Sequence, residues 1–297
     1  MISIKNNRLD TIAQSHYAAI KKHLKNPRLR FNYEKINSWF LNNGSKQSLK
    51  EVILADFENL KLIKESYYDV RNDLESEYIR NVIYKNYFSQ SNITMKNTKY
   101  NAAKLIDELG LIVCPYCNRN FINNIKFNNG VSKRTSQMDH FFSKDKYPFL
   151  AMSFYNLIPC CPSCNHVKSN NEIGFSPYDI YANQDKYKFN YIVKTSEYLS
   201  DISQIDLILE SNSIEYEKNI KVFGLRELYS VHKDVVQEIL KKKHIYNESK
   251  IKEIYKDFNK LFRDTEDVRN TIFGNFIDDK DFNKRPLAKL INDIYHN

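Results

Sequence analysis

The chain has no run of 18 or more apolar residues in its 297 positions, so it offers no stretch long enough to cross a bilayer as a helix. Its first residues, Met1-Ile2-Ser3-Ile4-Lys5, lack the apolar core of an export signal, and the expectation is a soluble cytoplasmic protein without a membrane partner. Glycine and proline are scarce, 6 and 7 in all, and so few breakers leave long stretches free to be helical. Alanine and arginine are also thin, whereas Lys, Asn, Ile and Tyr abound, the balance that a genome of low GC content produces. Part of the formal charge of +9 is therefore compositional. No internal repeat occurs, and no low-complexity segment is long enough to serve as a linker.

Cysteine is scarce too, with only 5, but its placement carries information. Four fall into two pairs, Cys114-Pro115-Tyr116-Cys117 and Cys161-Pro162-Ser163-Cys164. Each C-x-x-C forms a tight knuckle that turns two thiolates toward one point, and four such sulfurs complete the tetrahedron that Zn²⁺ accepts. A structural Zn²⁺ on these four thiolates is expected, and thiols held for metal suit a reducing compartment. A thioredoxin-like redox role would not need two pairs around one motif. Cys160, the fifth, reads as a small buried core residue.

Between the pairs lies Met138-Asp139-His140-Phe141. Alone, an Asp-His step is a chance event in a chain with 7 histidines. Bracketed by two knuckles, it is expected to be held in place by metal. Hydrolysis of a phosphodiester requires an activated water, a cation on the phosphate and leaving oxygens, and alignment of both. Histidine can take a proton at neutral pH, while a carboxylate and an amide oxygen suit hard Mg²⁺ or Mn²⁺. Neighbours on a strand point to opposite faces, so Asp139 and His140 can serve one ion only where the strand ends or bulges. His140 is therefore expected at a strand end.

The order Cys-x-x-Cys, Asp139-His140, Asn156-Leu157, Cys-x-x-Cys-Asn165-His166-x-Lys168 resembles the zinc-bearing branch of the HNH endonuclease superfamily over residues 99–180. The resemblance implies a ββα-metal fold, a two-stranded ribbon followed by a helix around one catalytic divalent ion, and hydrolysis of nucleic-acid phosphodiesters. It implies His140 as general base, Asp139 as a ligand of the ion, and Asn156 as the residue that orients the loop carrying the histidine. At the third position this chain has Asn165 instead of the name-giving histidine, with His166 beside it, so either could be the second ligand. Lys168 is a candidate for a phosphate contact or, equally, a solvated helix lysine. Tyr147, Arg119 and Arg134 are within sequence reach of the motif without assigned roles. The wording Asp139-His140-Phe141-Phe142, Lys146-Tyr147-Pro148-Phe149-Leu150-Ala151 and Tyr155-Asn156-Leu157-Ile158-Pro159 is similar to HNH nucleases of anti-phage defence loci, of the Septu and retron-linked kind. That similarity implies an antiviral effector held in check by an SMC-like or OLD-like ATPase encoded alongside.

The basic excess is unevenly spread. Residues 1–98 carry 16 Lys+Arg against 10 Asp+Glu, residues 99–180 carry 9 against 6, and residues 181–297 carry 20 against 20. A basic first part beside a nuclease centre fits a phosphate-tracking surface, densest at Lys21-Lys22-His23-Leu24-Lys25 and Arg28-Leu29-Arg30; a solvated helix face fits that cluster as well. Periodicity predicts helices over residues 9–24 and 46–90, and a short helix over about 99–109 ended by Gly110. Leu111-Ile112-Val113 reads as a strand into the first knuckle. Residues 121–127 and 131–138, joined by an Asn129-Gly130 turn, read as a hairpin that delivers Asp139 and His140. Residues 164–169 open the helix of the third motif. Short strands are predicted at 187–193, 205–209 and 214–216, then helix over about 225–261, with Lys241-Lys242-Lys243 near a helix C-terminus.

The expected fold is α+β: a helical, basic region 1–98, a central HNH nuclease module 99–180 with its four-cysteine zinc site, and a mixed strand and helix region 181–297 suited to partner contact. The expected function is a metal-dependent endonuclease with DNA as substrate, structural Zn²⁺ and catalytic Mg²⁺ or Mn²⁺. Its rivals are a catalytically silent zinc module that binds nucleic acid or protein, and an RNA-cleaving nuclease acting on transfer RNA. A salt bridge closing Asp139 would favour the silent module; dependence on a ribose 2′-OH would favour the ribonuclease.

Overall fold

A computed structural model describes residues 1–89, 100–128, 132–179 and 186–297. The Asn129-Gly130 turn and both expected segment boundaries, near 98 and 180, lie outside the described residues. The chain is mixed α+β and divides into two compact units. One comprises Ser3–Leu111 and Ile122–Ile180, the other Met1–Ile2, Ile112–Phe121 and Tyr181–Asn297. The first knuckle, read from sequence as part of a middle module, thus packs with the C-terminal residues.

The unit that holds the Asp-His motif begins with helices α1 (Leu9–Leu24), α2 (Tyr33–Asn42), α3 (Leu49–Leu54), α4 (Phe57–Ser66) and α5 (Leu74–Tyr78). Their starts are written locally. Asn32, Ser48 and Asp56 accept backbone N–H groups of the first turns, and Ser48 with Glu51 completes a capping box. In α1, Ile12, His16, Ile20 and Leu24 fall on one face and are buried. A π-helix, Ile79–Phe88, continues from α5, and α6 (Ala102–Leu109) ends at Gly110 with φ +67°, where a side chain would be strained.

Four short strands follow, in two pairs. Strand β1 (Ile125–Lys126) pairs antiparallel with β2 (Ser132–Lys133), and β3 (Gln137–His140) pairs antiparallel with β4 (Leu157–Cys160). The expected hairpin over 121–138 is therefore corrected. Among the described residues two residue pairs belong to it, and the strand bearing Asp139 and His140 takes a later partner. Burial explains the switch: Met138, Asp139 and His140 are buried, and they lie against the wholly buried strand Leu157–Cys160. Helix α7 (Pro162–Lys168) starts on Cys161 as its cap, with Pro162 in the first turn. Aromatic packing fixes the loop after His140: Phe57 of α4 meets Phe141 and Phe142, and Tyr67 meets Phe149.

The other unit is built on the hairpin β5 (Tyr187–Val193) and β6 (Ile205–Ser211), paired in continuous antiparallel register. Helices α8 (Ile214–Phe223), α9 (Leu225–Tyr229), α10 (Lys233–Ile245), α11 (Glu248–Asp257), α12 (Thr265–Phe273) and α13 (Ala288–His296) complete it. The strand predicted at 214–216 is a helix. Ser213 caps it, and its buried residues Tyr216, Asn219, Ile220 and Phe223 recur at helical spacing while Ile214 stands in solvent. The strand read at Leu111-Ile112-Val113 is reduced to one bridge, between Val113 and Phe121. Among the described residues no helix is long and apolar enough to cross a membrane.

Candidate metal and active site

Both knuckles are shaped by short-range bonds. In the first, Asn118 N–H donates to the Cys114 carbonyl and Arg119 N–H to the Cys117 sulfur at 3.4 Å. Asn118 is fully buried with φ +51°; its side chain donates to the Phe282 carbonyl and accepts from Lys289 N–H at 3.0 Å. In the second, the Cys161 sulfur accepts the Cys164 N–H at 3.5 Å, which opens α7. The sulfurs of Cys114, Cys117, Cys161 and Cys164 all lie within 4.8 Å of one another, and all four side chains are buried. A Zn²⁺ tetrahedron with bonds of about 2.3 Å has sulfur-to-sulfur edges of about 3.8 Å, so small adjustments suffice. Four buried thiols form a set fit for a metal such as zinc. Cys160, buried in β4, is not a member.

The Asp-His motif sits where β3 ends. Asp139, His140, Asn165 and His166 line one polar pocket of about 270 Å³ with Met138, Ser143, Lys144, Asp145, Ser169 and Asn170. Both residues of the motif reach it because the strand stops at His140. His140 is buried, and its Nε2 donates to the Ala151 carbonyl at 3.1 Å. A carbonyl can only accept, so the proton resides on Nε2 and Nδ1 is left as the basic nitrogen. Burial holds the imidazole pKa well below 6.5, the charge of Lys144 adds to this, and Lys168 does so more weakly against the Ala151 bond. His140 is therefore a neutral base at neutral pH.

Asn156 is fully buried and ties the loop after His140. Its Oδ1 accepts the Phe142 N–H at 2.7 Å, and its Nδ2 donates to the carbonyls of Phe142 and Leu150 at 3.1 and 3.0 Å. Asn165, on the outer face of α7, donates from Nδ2 to Gln137 Oε1, which turns its oxygen the other way. His166 is exposed beside it.

Lys168 differs from either sequence reading. Only 1% exposed, it donates to Asp139 Oδ1 at 3.1 Å and to the His140 carbonyl at 2.8 Å. Its ammonium is turned beneath the motif, neither a solvated helix lysine nor a group presented to phosphate. The other residues within sequence reach also lie aside. Tyr147 is buried among Phe142 and Phe149, Arg119 donates to His232 Nε2 at 2.9 Å, and Arg134 donates to the Ser89 carbonyl at 3.4 Å.

Residues outside any motif also pack around the Asp-His step, the loop after it and the pocket rim. Tyr84, from the π-helix, sets its ring edge-on to His140 with centroids 4.4 Å apart and donates to the Met138 carbonyl at 3.2 Å. Burial pushes its hydroxyl pKa up to about 12, so it stays a neutral donor. His16 of α1 bonds the Met152 carbonyl at 2.9 Å, next along from the carbonyl held by His140. Ser169, on the pocket rim, has φ +47° and ψ −125°, a strained conformation for a residue with a side chain. Lys144 was legible as a cation four residues past His140; Tyr84 and His16 were not, because nothing local ties them to the motif. A larger cleft of about 690 Å³, lined by Asp10, Glu51, Asp56 and Tyr155 among others, shares no residue with the pocket and is acidic.

Comparison with protein-family models, curated proteins and solved structures finds no match for this chain.

Proposed function

We propose that this chain is a metal-dependent endonuclease of the HNH class that hydrolyses the phosphodiester backbone of DNA. The observation that carries the reading is the single polar pocket at the end of β3 that Asp139, His140, Asn165 and His166 share. Asp139 and the Asn165 oxygen or the His166 imidazole would hold a hard divalent cation, Mg²⁺ or Mn²⁺, which when bound supplies charge neutralisation at the phosphate and leaving oxygens. His140, kept neutral by burial and fixed by Ala151, takes the proton of the attacking water at Nδ1. Asn156 holds the loop that sets the imidazole, and Lys168 orients the Asp139 carboxylate from below. The ribbon β3–β4 followed by α7 supports the HNH assignment as well. The similarity of residues 139–159 to nucleases of Septu and retron-linked loci extends the proposal to an anti-phage effector restrained by an SMC-like or OLD-like ATPase.

One observation favours a second reading, a catalytically silent zinc module: one oxygen of Asp139 is already occupied by a buried lysine. The two part company on a gel. Purified wild type and His140→Ala are incubated with plasmid DNA and with total RNA, each in EDTA, Mg²⁺ or Mn²⁺. The proposal expects nicking or degradation of DNA by wild type alone, lost in EDTA. Cleavage of RNA but not DNA would replace the substrate; no cleavage of either, with the neighbouring ATPase present or absent, would leave the silent module standing.

A further inference from the structure

The pocket's obvious candidate for phosphate, Lys168, faces inward and is spent on Asp139 and the His140 carbonyl. Other cations nearby are committed too. Lys146 pairs with Glu172 at 3.2 Å, and Arg80 with Glu77 and with Asp145, the latter at 3.3 Å. Lys144 is different: it lines the pocket beside His140 and makes no ion pair or hydrogen bond among the described residues.

The backbone beneath Lys144 is held on both sides. Phe142 N–H is tied to Asn156, Ser143 Oγ donates to Asn170 Oδ1 at 2.7 Å, and the N–H groups of Lys146 and Tyr147 donate to the Ser143 carbonyl at 3.1 and 2.8 Å. The flexible four-carbon stem then swings a compact charge from a fixed root. Around it the pocket wall offers the hydroxyl of Ser169 and the amide N–H of Asn170, donors that suit phosphate oxygens. Its half-buried position gives the charge more reach than a lysine in open solvent.

Resting on the hydrolase reading for the identity of the anion, we infer that Lys144 is the phosphate-binding cation of this pocket, taking a non-bridging oxygen of the DNA backbone beside His140. It contributes affinity without sequence preference, since a phosphate contact carries no base information.

The test separates binding from cleavage. Full-length zinc-loaded protein carrying His140→Ala, with and without Lys144→Ala or Lys144→Arg, is titrated into a short fluorescein-labelled DNA duplex by anisotropy without added divalent metal, at several NaCl concentrations. Wild type and the single Lys144 variants are compared in steady-state cleavage. Lys144→Ala is expected to weaken binding and raise KM about tenfold, and to make the slope of log K against log[NaCl] shallower by about one, with Lys144→Arg restoring most of both. Unchanged affinity and slope in a folded Lys144→Ala would overturn the inference. Binding that depends on Lys144 without any cleavage by wild type would uphold the phosphate site and overturn the nuclease reading. No binding of duplex by the His140→Ala protein would overturn both.

Discussion

At Lys168 the Coulomb account is unusually exposed to test. A buried ammonium holds a buried carboxylate, side chains 1% and 6% exposed, and removing either partner takes from the other a charge-assisted bond made in the interior. Lys168→Met is expected to cost about 3–5 kcal/mol in urea unfolding, and Lys168→Met with Asp139→Asn to recover most of it, since the pair is then neutral on both sides. A single variant as stable as wild type would mean that the pair is not a buried ion pair in solution. His16 supplies the second residue-level prediction. Burial lowers its pKa from 6.5 to about 4, only partly opposed by the bond to Met152. The unfolded chain then binds a proton near pH 6.5 that the folded protein refuses until about pH 4. Stability from this site is complete above the unfolded value and lost as pH falls through that window, about 3 kcal/mol by pH 4. His16→Gln should flatten this part of the pH profile relative to wild type; parallel profiles would rule the histidine out.

Among elements, the loop between β3 and β4 depends most on one side chain. Asn156 satisfies one N–H and two carbonyls of that loop, all in the interior. Asn156→Ala would strip the buried Phe142 N–H and carbonyl of the partner that holds them, while the Leu150 carbonyl keeps the Ser153 N–H, and the expected loss is on the order of 3 kcal/mol with faster hydrogen exchange at Phe142. Intact protection of that amide would show the loop to be held by its aromatic packing instead. Helix α8 teaches a related lesson: three residues, Ile214-Glu215-Tyr216, read as a strand by local alternation, but the cap at Ser213 and the apolar spacing on to Phe223 decide for a helix. Over three residues an apolar-charged-apolar run fits either period, and only the longer spacing tells helix from strand.

For the whole molecule, the four-thiol group sets the expectation. Structural zinc in small motifs contributes on the order of 10 kcal/mol, so Cys161→Ser should lower metal content measured by atomic emission and lower the melting temperature together. Cys160→Ser, outside the group, should leave zinc content unchanged. Full metal content in Cys161→Ser would contradict the assignment of that thiol.

Much of this was written in the order of residues. The two C-x-x-C pairs announce a four-thiol group because the knuckle is a local structure, and α1, α6, β5 and the start of β6 follow from local periodicity and caps. The Asp-His step and its place at a strand end were likewise legible, since pleat alternation allows two adjacent residues into one pocket only where the strand stops. What the order of residues could not give is who meets the motif from afar. That β3 pairs with β4 instead of with the strand before it, that Lys168 folds under Asp139, and that Tyr84 and His16 close on the loop from the helical part were decided by tertiary packing. Each of these contacts joins residues from about twenty to well over a hundred positions apart, and burial of the whole set, which no local propensity encodes, selects among the partners that each side chain could take.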